Sequence, residues 1–146
     1  MGSWLYLAFA LAAGAVLPLQ AGINAVLARS VGGPIAAALV SFAVGTLALA
    51  AVAAAAARPS AEKLGGVPWW VWVGGLLGAF YVVGSIVTAP RLGAVVFVAA
   101  VLAGQSLSSL VADHFGWVGF AEHPISPGRI AGLVLVAAGV ALVRIF

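Results

Sequence analysis

The sequence predicts an all-α membrane protein with five transmembrane helices, and three observations lead there. Hydrophobic residues make up 65% of the 146-residue chain and charged residues 6%, against roughly 25% charged in soluble domains. Uncharged runs cover residues 1–28, 30–57, 64–90, 92–112 and 130–143. The first four reach the roughly 20 residues a helix needs to cross about 30 Å of hydrocarbon. The fifth reaches that length once Arg129 and Arg144 extend to opposite headgroup layers. Residues 1–146 therefore read as one transmembrane domain with helices at about 4–27, 34–57, 67–89, 92–112 and 127–146.

The first run lacks a basic leading segment and exceeds the 7–15 apolar residues of a signal peptide, so it is expected to remain as helix one. Pro18 sits in its middle, and the turn after it runs from Arg29 through Gly32 and Gly33 to Pro34. Pro34 suits the first turn of helix two, where its missing N–H has no partner to lose. Helix two stops before Arg58 and Pro59, and a polar hinge with Glu62 and Lys63 follows. Helix three opens on Pro68 and the tryptophans Trp69, Trp70 and Trp72, the composition of an aromatic belt at the membrane surface. A tight link through Thr88, Pro90 and Gly93 leads into helix four. The one long connection, 113–126, carries Phe115, Trp117 and Phe120 and is expected to lie along the interface. Ser126 and Pro127 read as N-cap and first residue of helix five.

The formal charge of +3 comes from basic residues scattered singly along the chain. No basic patch for nucleic acid results. The absence of cysteine excludes a disulfide framework and a thiolate metal site. An odd number of spans puts the termini on opposite faces. Arg58, Lys63 and Arg129 fall on the face of the N-terminus, and Arg29, Arg91 and Arg144 on the other. This balance gives the positive-inside rule almost nothing to act on, so the chain is expected to insert both ways and to pair as an antiparallel homodimer.

A polar side chain in hydrocarbon needs a partner, a cavity or a function. Gln20 lies about 6 Å and Asn24 about 12 Å from the middle of helix one, one turn apart on one face. Pro18 cannot donate to the carbonyl of Gly14, which makes these two residues a candidate hinge. Helix three offers Tyr81, about 4.5 Å from its centre, with Ser85 a turn further on; helix four offers Gln105 at a similar depth, followed by Ser106. Gln20, Asn24, Tyr81, Ser85, Gln105 and Ser106 are the candidate solute-binding residues. For serine the competing reading is a bond to its own preceding turn. Gly132 and Gly139, seven residues apart, lie on one small stripe of helix five and are candidates for dimer packing. Asp113 and His114, at the edge of the hydrocarbon, are candidates for proton coupling, with a solvated helix end as the simpler reading. Nothing in the sequence has metal-ligand spacing, a nucleophile with its base or a phosphate loop, so no metal, cofactor or enzymatic activity is expected.

The stretches "LQAGINAVLAR", "GGPIAAALVSFAVGT", "WWVWVGGLLGAFYV", "PRLGAVVFVAAVLAGQSLSSLVADHFG" and "PISPGRIAGLVLVAAGVALV" resemble, in order and over nearly the whole chain, the short YdcZ-like family of bacterial inner-membrane proteins in the drug/metabolite transporter superfamily. The resemblance implies a five-helix unit equivalent to half of a ten-helix transporter, paired antiparallel into an inverted repeat. It also implies that helices one, three and four line a central cavity, which would turn Gln20, Asn24, Tyr81 and Gln105 toward the solute. Small multidrug exporters of the same superfamily carry a carboxylate in the first helix; this chain has no Asp or Glu there. The expected function is alternating-access transport of a small metabolite-like or drug-like solute across the bacterial inner membrane. The alternative is an accessory or assembly subunit packed against another membrane protein.

Overall fold

A computed structural model describes residues 3–56 and 66–146. Among the described residues, five helices are long and apolar enough to cross a membrane. They are α1 (Ser3–Val31), α2 (Pro34–Ala56), α3 (Val73–Leu92), α4 (Ala94–Phe115) and α5 (Pro127–Ile145). Short 3-10 turns, Trp69–Trp72 and Trp117–Gly119, precede α3 and follow α4. The expected end of helix two at 57, and the hinge with Arg58, Glu62 and Lys63, lie outside the described residues.

Helix boundaries follow backbone chemistry more closely than hydropathy. α1 continues one turn past the expected end at 27, because nothing in Arg29, Ser30 and Val31 opposes a helix. It stops where Gly32 (φ 92°) and Gly33 (φ 130°) enter conformations that L side chains rarely adopt. The Gly33 N–H then reaches back to the Ala28 carbonyl at 2.8 Å, closing a six-to-one helix stop. α1 is helical across Pro18, so the candidate hinge of Gly14 and Pro18 lies within one continuous helix. Pro18 removes one hydrogen bond, and the remaining turns of a 29-residue helix carry the chain across.

The third span corrects the sequence reading at both ends. After Pro68 the chain first makes a tight 3-10 turn, with the Val71 N–H bonded to the Pro68 carbonyl at 3.1 Å, and only then becomes α-helical at Val73. At the far end the link expected at Thr88 and Pro90 is helical through Leu92. Pro90 takes one hydrogen bond from the last turn, while Thr88 Oγ1 bonds the Gly84 carbonyl at 2.7 Å and Arg91 Nη1 the Val87 carbonyl at 3.2 Å. Gly93 alone separates α3 from α4, at φ 81° and ψ 153°, a region essentially reserved for glycine. α4 extends to Phe115, beyond the expected end at 112, and so takes Asp113 and His114 into its last turn. It ends where Gly116 turns left-handed, at φ 61°. Ser126 caps α5, its Oγ accepting the Arg129 N–H at 3.3 Å, and Pro127 follows as the first helical residue.

The chain forms two compact units, Met1–Arg91 and Leu92–Phe146. In the first, α1 packs on α2, and alanines make the close approach possible: Ala21, Ala25, Ala37 and Ala38 are all buried. Val82 and Ile86 of α3 complete that core, with Leu27, Val31, Tyr81 and Val83 around it. A methyl group on Gly78 would sit 3.8 Å from the Phe42 ring, so α2 and α3 also come close. In the second unit α4 packs on α5 and on the Trp117–Gly119 turn.

Large apolar side chains face outward on every helix, among them Phe9, Leu47, Phe80, Val95 and Leu135. Leaving such a side chain in water forgoes roughly 1.5–3 kcal/mol each. Repeated along all five helices, that surface is stable only against lipid. Trp69 and Trp72 stand exposed at one end of their span, and Phe115 stacks on Trp117 at 5.2 Å near the end of another, both placements suited to the headgroup layer.

Candidate functional site

In the first unit, Gln20 of α1 opens onto a cleft of about 240 Å³ lined also by Ser41, Phe42, Gly45, Thr46 and Leu49 of α2 and Val82 of α3. The α2 residues fall at four-residue steps, 41–45–49 and 42–46, so they form one stripe. At 1.5 Å per residue Gln20 lies about 16 Å from the end of α1 and Thr46 about 18 Å from the start of α2, which places the cleft near mid-membrane. Its walls are hydrocarbon with an amide and two hydroxyls, a composition that holds a solute by apolar contact and orients it by a few hydrogen bonds.

One turn along α1 from Gln20, Asn24 is 4% exposed, and its Nδ2 has no hydrogen-bond partner. An unpaired buried donor costs roughly 1–3 kcal/mol. It flanks the cleft without lining it. Tyr81, expected beside these amides, sits partly exposed at the edge of the Ala37, Ala38, Val82 and Ile86 core, and it is its neighbour Val82 that borders the cleft. Ser85 is buried and donates to the Val82 carbonyl at 2.8 Å, the local bond that competes with a solute-binding role.

The candidates of the second unit separate. Ser106 lines a cleft of about 360 Å³ with Ser109, Leu110, Asp113, Arg129, Gly132, Leu133 and Val136. Gln105 is exposed and lines none of the clefts of this unit described here. Its neighbour Gly104 borders an apolar groove with Ala103, Leu107, Leu133 and Ala137. Gly132 also lines the Ser106 cleft, and a methyl group added there would meet open space, so no packing within the chain occupies that position of the small stripe of α5.

Asp113 lies in the last turn of α4, part-exposed as a solvated helix end would be, and it is also paired. Its Oδ2 accepts from Arg129 Nη1 at 3.2 Å, with both side chains about one-third exposed. The same Arg129 nitrogen donates to the His123 carbonyl at 3.3 Å, and the His123 N–H bonds the Asp113 carbonyl at 2.7 Å. His114 accepts the Ile125 N–H on Nδ1 at 3.4 Å. These bonds tie the 113–126 connection across the end of the α4–α5 pair. Among the described residues no three His, Asp or Glu side chains gather as a metal site.

Sequence reasoning missed Ser41 and Thr46, the only polar side chains in α2, because it drew its candidates from helices one, three and four alone. It also missed the Asp113–Arg129 pair. The available signal was topological: α4 ends and α5 begins on the same face, so a carboxylate and a guanidinium meet at a shared edge.

Residues 5–142 match the family described as "Putative inner membrane exporter, YdcZ". The protein "Inner membrane protein YdcZ" of Escherichia coli (strain K12) is 34% identical over 82 residues, covering 56% of this chain. The match spans about half of that relative, 54% of its length. No solved structure matches.

Proposed function

Since the chain belongs to the YdcZ-like family of the drug/metabolite transporter superfamily, a transporter-type family of multi-pass bacterial inner-membrane proteins and not of enzymes, we propose that it is a secondary carrier. It moves a small, partly apolar, neutral or zwitterionic solute by alternating access. The observation that carries this reading is the mid-membrane cleft of Gln20, Ser41 and Thr46, one turn from the unpartnered Nδ2 of buried Asn24. An isolated charge at this depth costs at least several kcal/mol, and no Asp or Glu occurs within the described part of the first unit.

The carrier works as an antiparallel pair of identical chains. Gln20 and Gln105 each lie within about 5 Å of the middle of their helices, so inverting one copy brings the two amides to similar depths. That gives exposed Gln105 a polar counterpart in the partner copy, and Asn24 Nδ2 a solute or partner acceptor. Gly14 and Pro18 supply the point at which α1 flexes, and Gly132 and Gly139 remain for contact between copies. Asp113 is already engaged by Arg129, so its role is structural rather than proton coupling.

Two measurements test this. Proteoliposomes offered pooled radiolabelled neutral amino acids and nucleosides should accumulate label above protein-free vesicles; no accumulation, with a dry, tightly packed dimer seam, would make the chain an accessory subunit. C-terminal fusions to alkaline phosphatase and to green fluorescent protein, each active on one side of the membrane, should both give signal. A single orientation would overturn the antiparallel pair.

A further inference from the structure

The end of the first unit away from the N-terminus carries a second cleft, of about 430 Å³, that the transport reading does not use. It is lined by Ala25, Ala28 and Arg29 of α1, Gly33 and Pro34 of the following turn, and Ile86, Val87, Pro90 and Arg91 of α3. Both arginines lie in the last turn of their helices and both are exposed. The acids of the chain are Glu62, Asp113 and Glu122, so no carboxylate falls within the described part of this unit. Arg91 uses one donor on the Val87 carbonyl, which leaves most of its guanidinium available. The 23-residue α2 begins at Pro34 on the cleft wall. The partial positive charge of its N-terminus only offsets part of the negative charge of the α1 and α3 C-termini, so the positive field of the cleft comes from the two arginines.

We propose that this cleft binds the phosphate of an anionic phospholipid headgroup, held by Arg29 and Arg91 together. Guanidinium groups match phosphate oxygens in a planar fork, and basic pockets between membrane helices are suited to acidic headgroups. The lower walls select a lipid over a soluble anion. Ala25, Ala28, Ile86 and Val87 are apolar and continue from the arginines toward the hydrocarbon, the path an acyl chain takes below its headgroup. The site is independent of the mid-membrane cleft and of what that cleft carries.

The test uses the full-length protein in a neutral detergent, with thermal midpoint and lipid retention by native mass spectrometry as readouts. Added phosphatidylglycerol should raise the midpoint and remain bound, whereas phosphatidylcholine should do neither. The Arg29→Gln/Arg91→Gln double variant should bind phosphatidylglycerol about 25-fold more weakly, the product of two roughly fivefold losses. Arg29→Lys/Arg91→Lys keeps the charge and should retain much of the effect, which separates lost binding from lost folding. Arg144→Gln, outside the cleft, should bind as the parent does. Equal retention of phosphatidylglycerol by the Gln double variant would overturn the assignment, and so would equal stabilisation by phosphatidylcholine. A midpoint shift produced as fully by millimolar inorganic phosphate would overturn the lipid in favour of a soluble anion.

Discussion

Asn24→Ala is expected to lower solute uptake at least tenfold while leaving the protein as stable as the parent, or more so. Replacing a buried polar group usually destabilises, because a partner is left unsatisfied. Here the Nδ2 has no partner to abandon, and its own roughly 1–3 kcal/mol of desolvation is relieved by the substitution. The lost amide volume offsets part of that gain. A helix that retains such a cost is holding a donor ready for a group that arrives later, either solute or partner copy. Gln20→Ala and Gln105→Ala should also lower uptake with assembly intact, whereas Ser85→Ala should stay within about twofold, since that hydroxyl is spent on the Val82 carbonyl. Uptake and thermal midpoint measured on the same preparations check this. Parallel loss of both in Asn24→Ala would reduce the residue to a packing role.

Arg129→Leu is expected to have the largest effect on stability, about 2 kcal/mol. The exposure of the pair, 37% for Arg129 and 31% for Asp113, places its strength between a surface ion pair and a buried one. The substitution also removes the bond that holds the His123 carbonyl. Asp113→Leu combined with Arg129→Leu should recover part of the loss, because no lone carboxylate then remains at the membrane edge. Asp113→Asn keeps an oxygen acceptor and should transport within about twofold of the parent. Thermal unfolding of the parent, Asp113→Leu, Arg129→Leu and the Leu double variant forms the double-mutant cycle. Abolished uptake in a folded, assembled Asp113→Asn would make the carboxylate the coupling group.

The helices were legible because hydrocarbon imposes one requirement, internal satisfaction of every backbone group over about 20 residues, and charge spacing reports it directly. Their ends were less legible, since Val31, Leu92 and Phe115 are set by the dihedral angles of Gly32, Gly93 and Gly116 rather than by polarity. Depth along a helix was readable at 1.5 Å per residue, so Gln20 was placed near mid-membrane from sequence. Azimuth was not. Tyr81 and Val82 share a depth, yet Val82 is buried in the core and borders the cleft while Tyr81 stays partly exposed at the edge of that core, and only the packing of α3 on α1 and α2 decides between them. The Asp113–Arg129 pair lay beyond a reading that follows one helix at a time, for its partners are 16 residues apart on different helices.

The helices differ in length by more than a third, 29 residues in α1 against 19 in α5, or about 44 Å against about 28 Å. A hydrocarbon layer of about 30 Å fits α5 nearly upright, while α1 must tilt or project into the headgroups. The two therefore respond oppositely to hydrophobic mismatch. Longer acyl chains straighten α1 and leave the ends of α5 short of water, with Arg129 and Arg144 drawn toward the lipid; shorter ones relieve α5 and tilt α1 further, at a fraction of a kcal/mol per Å. Bilayer thickness thus acts on this protein as a mechanical variable.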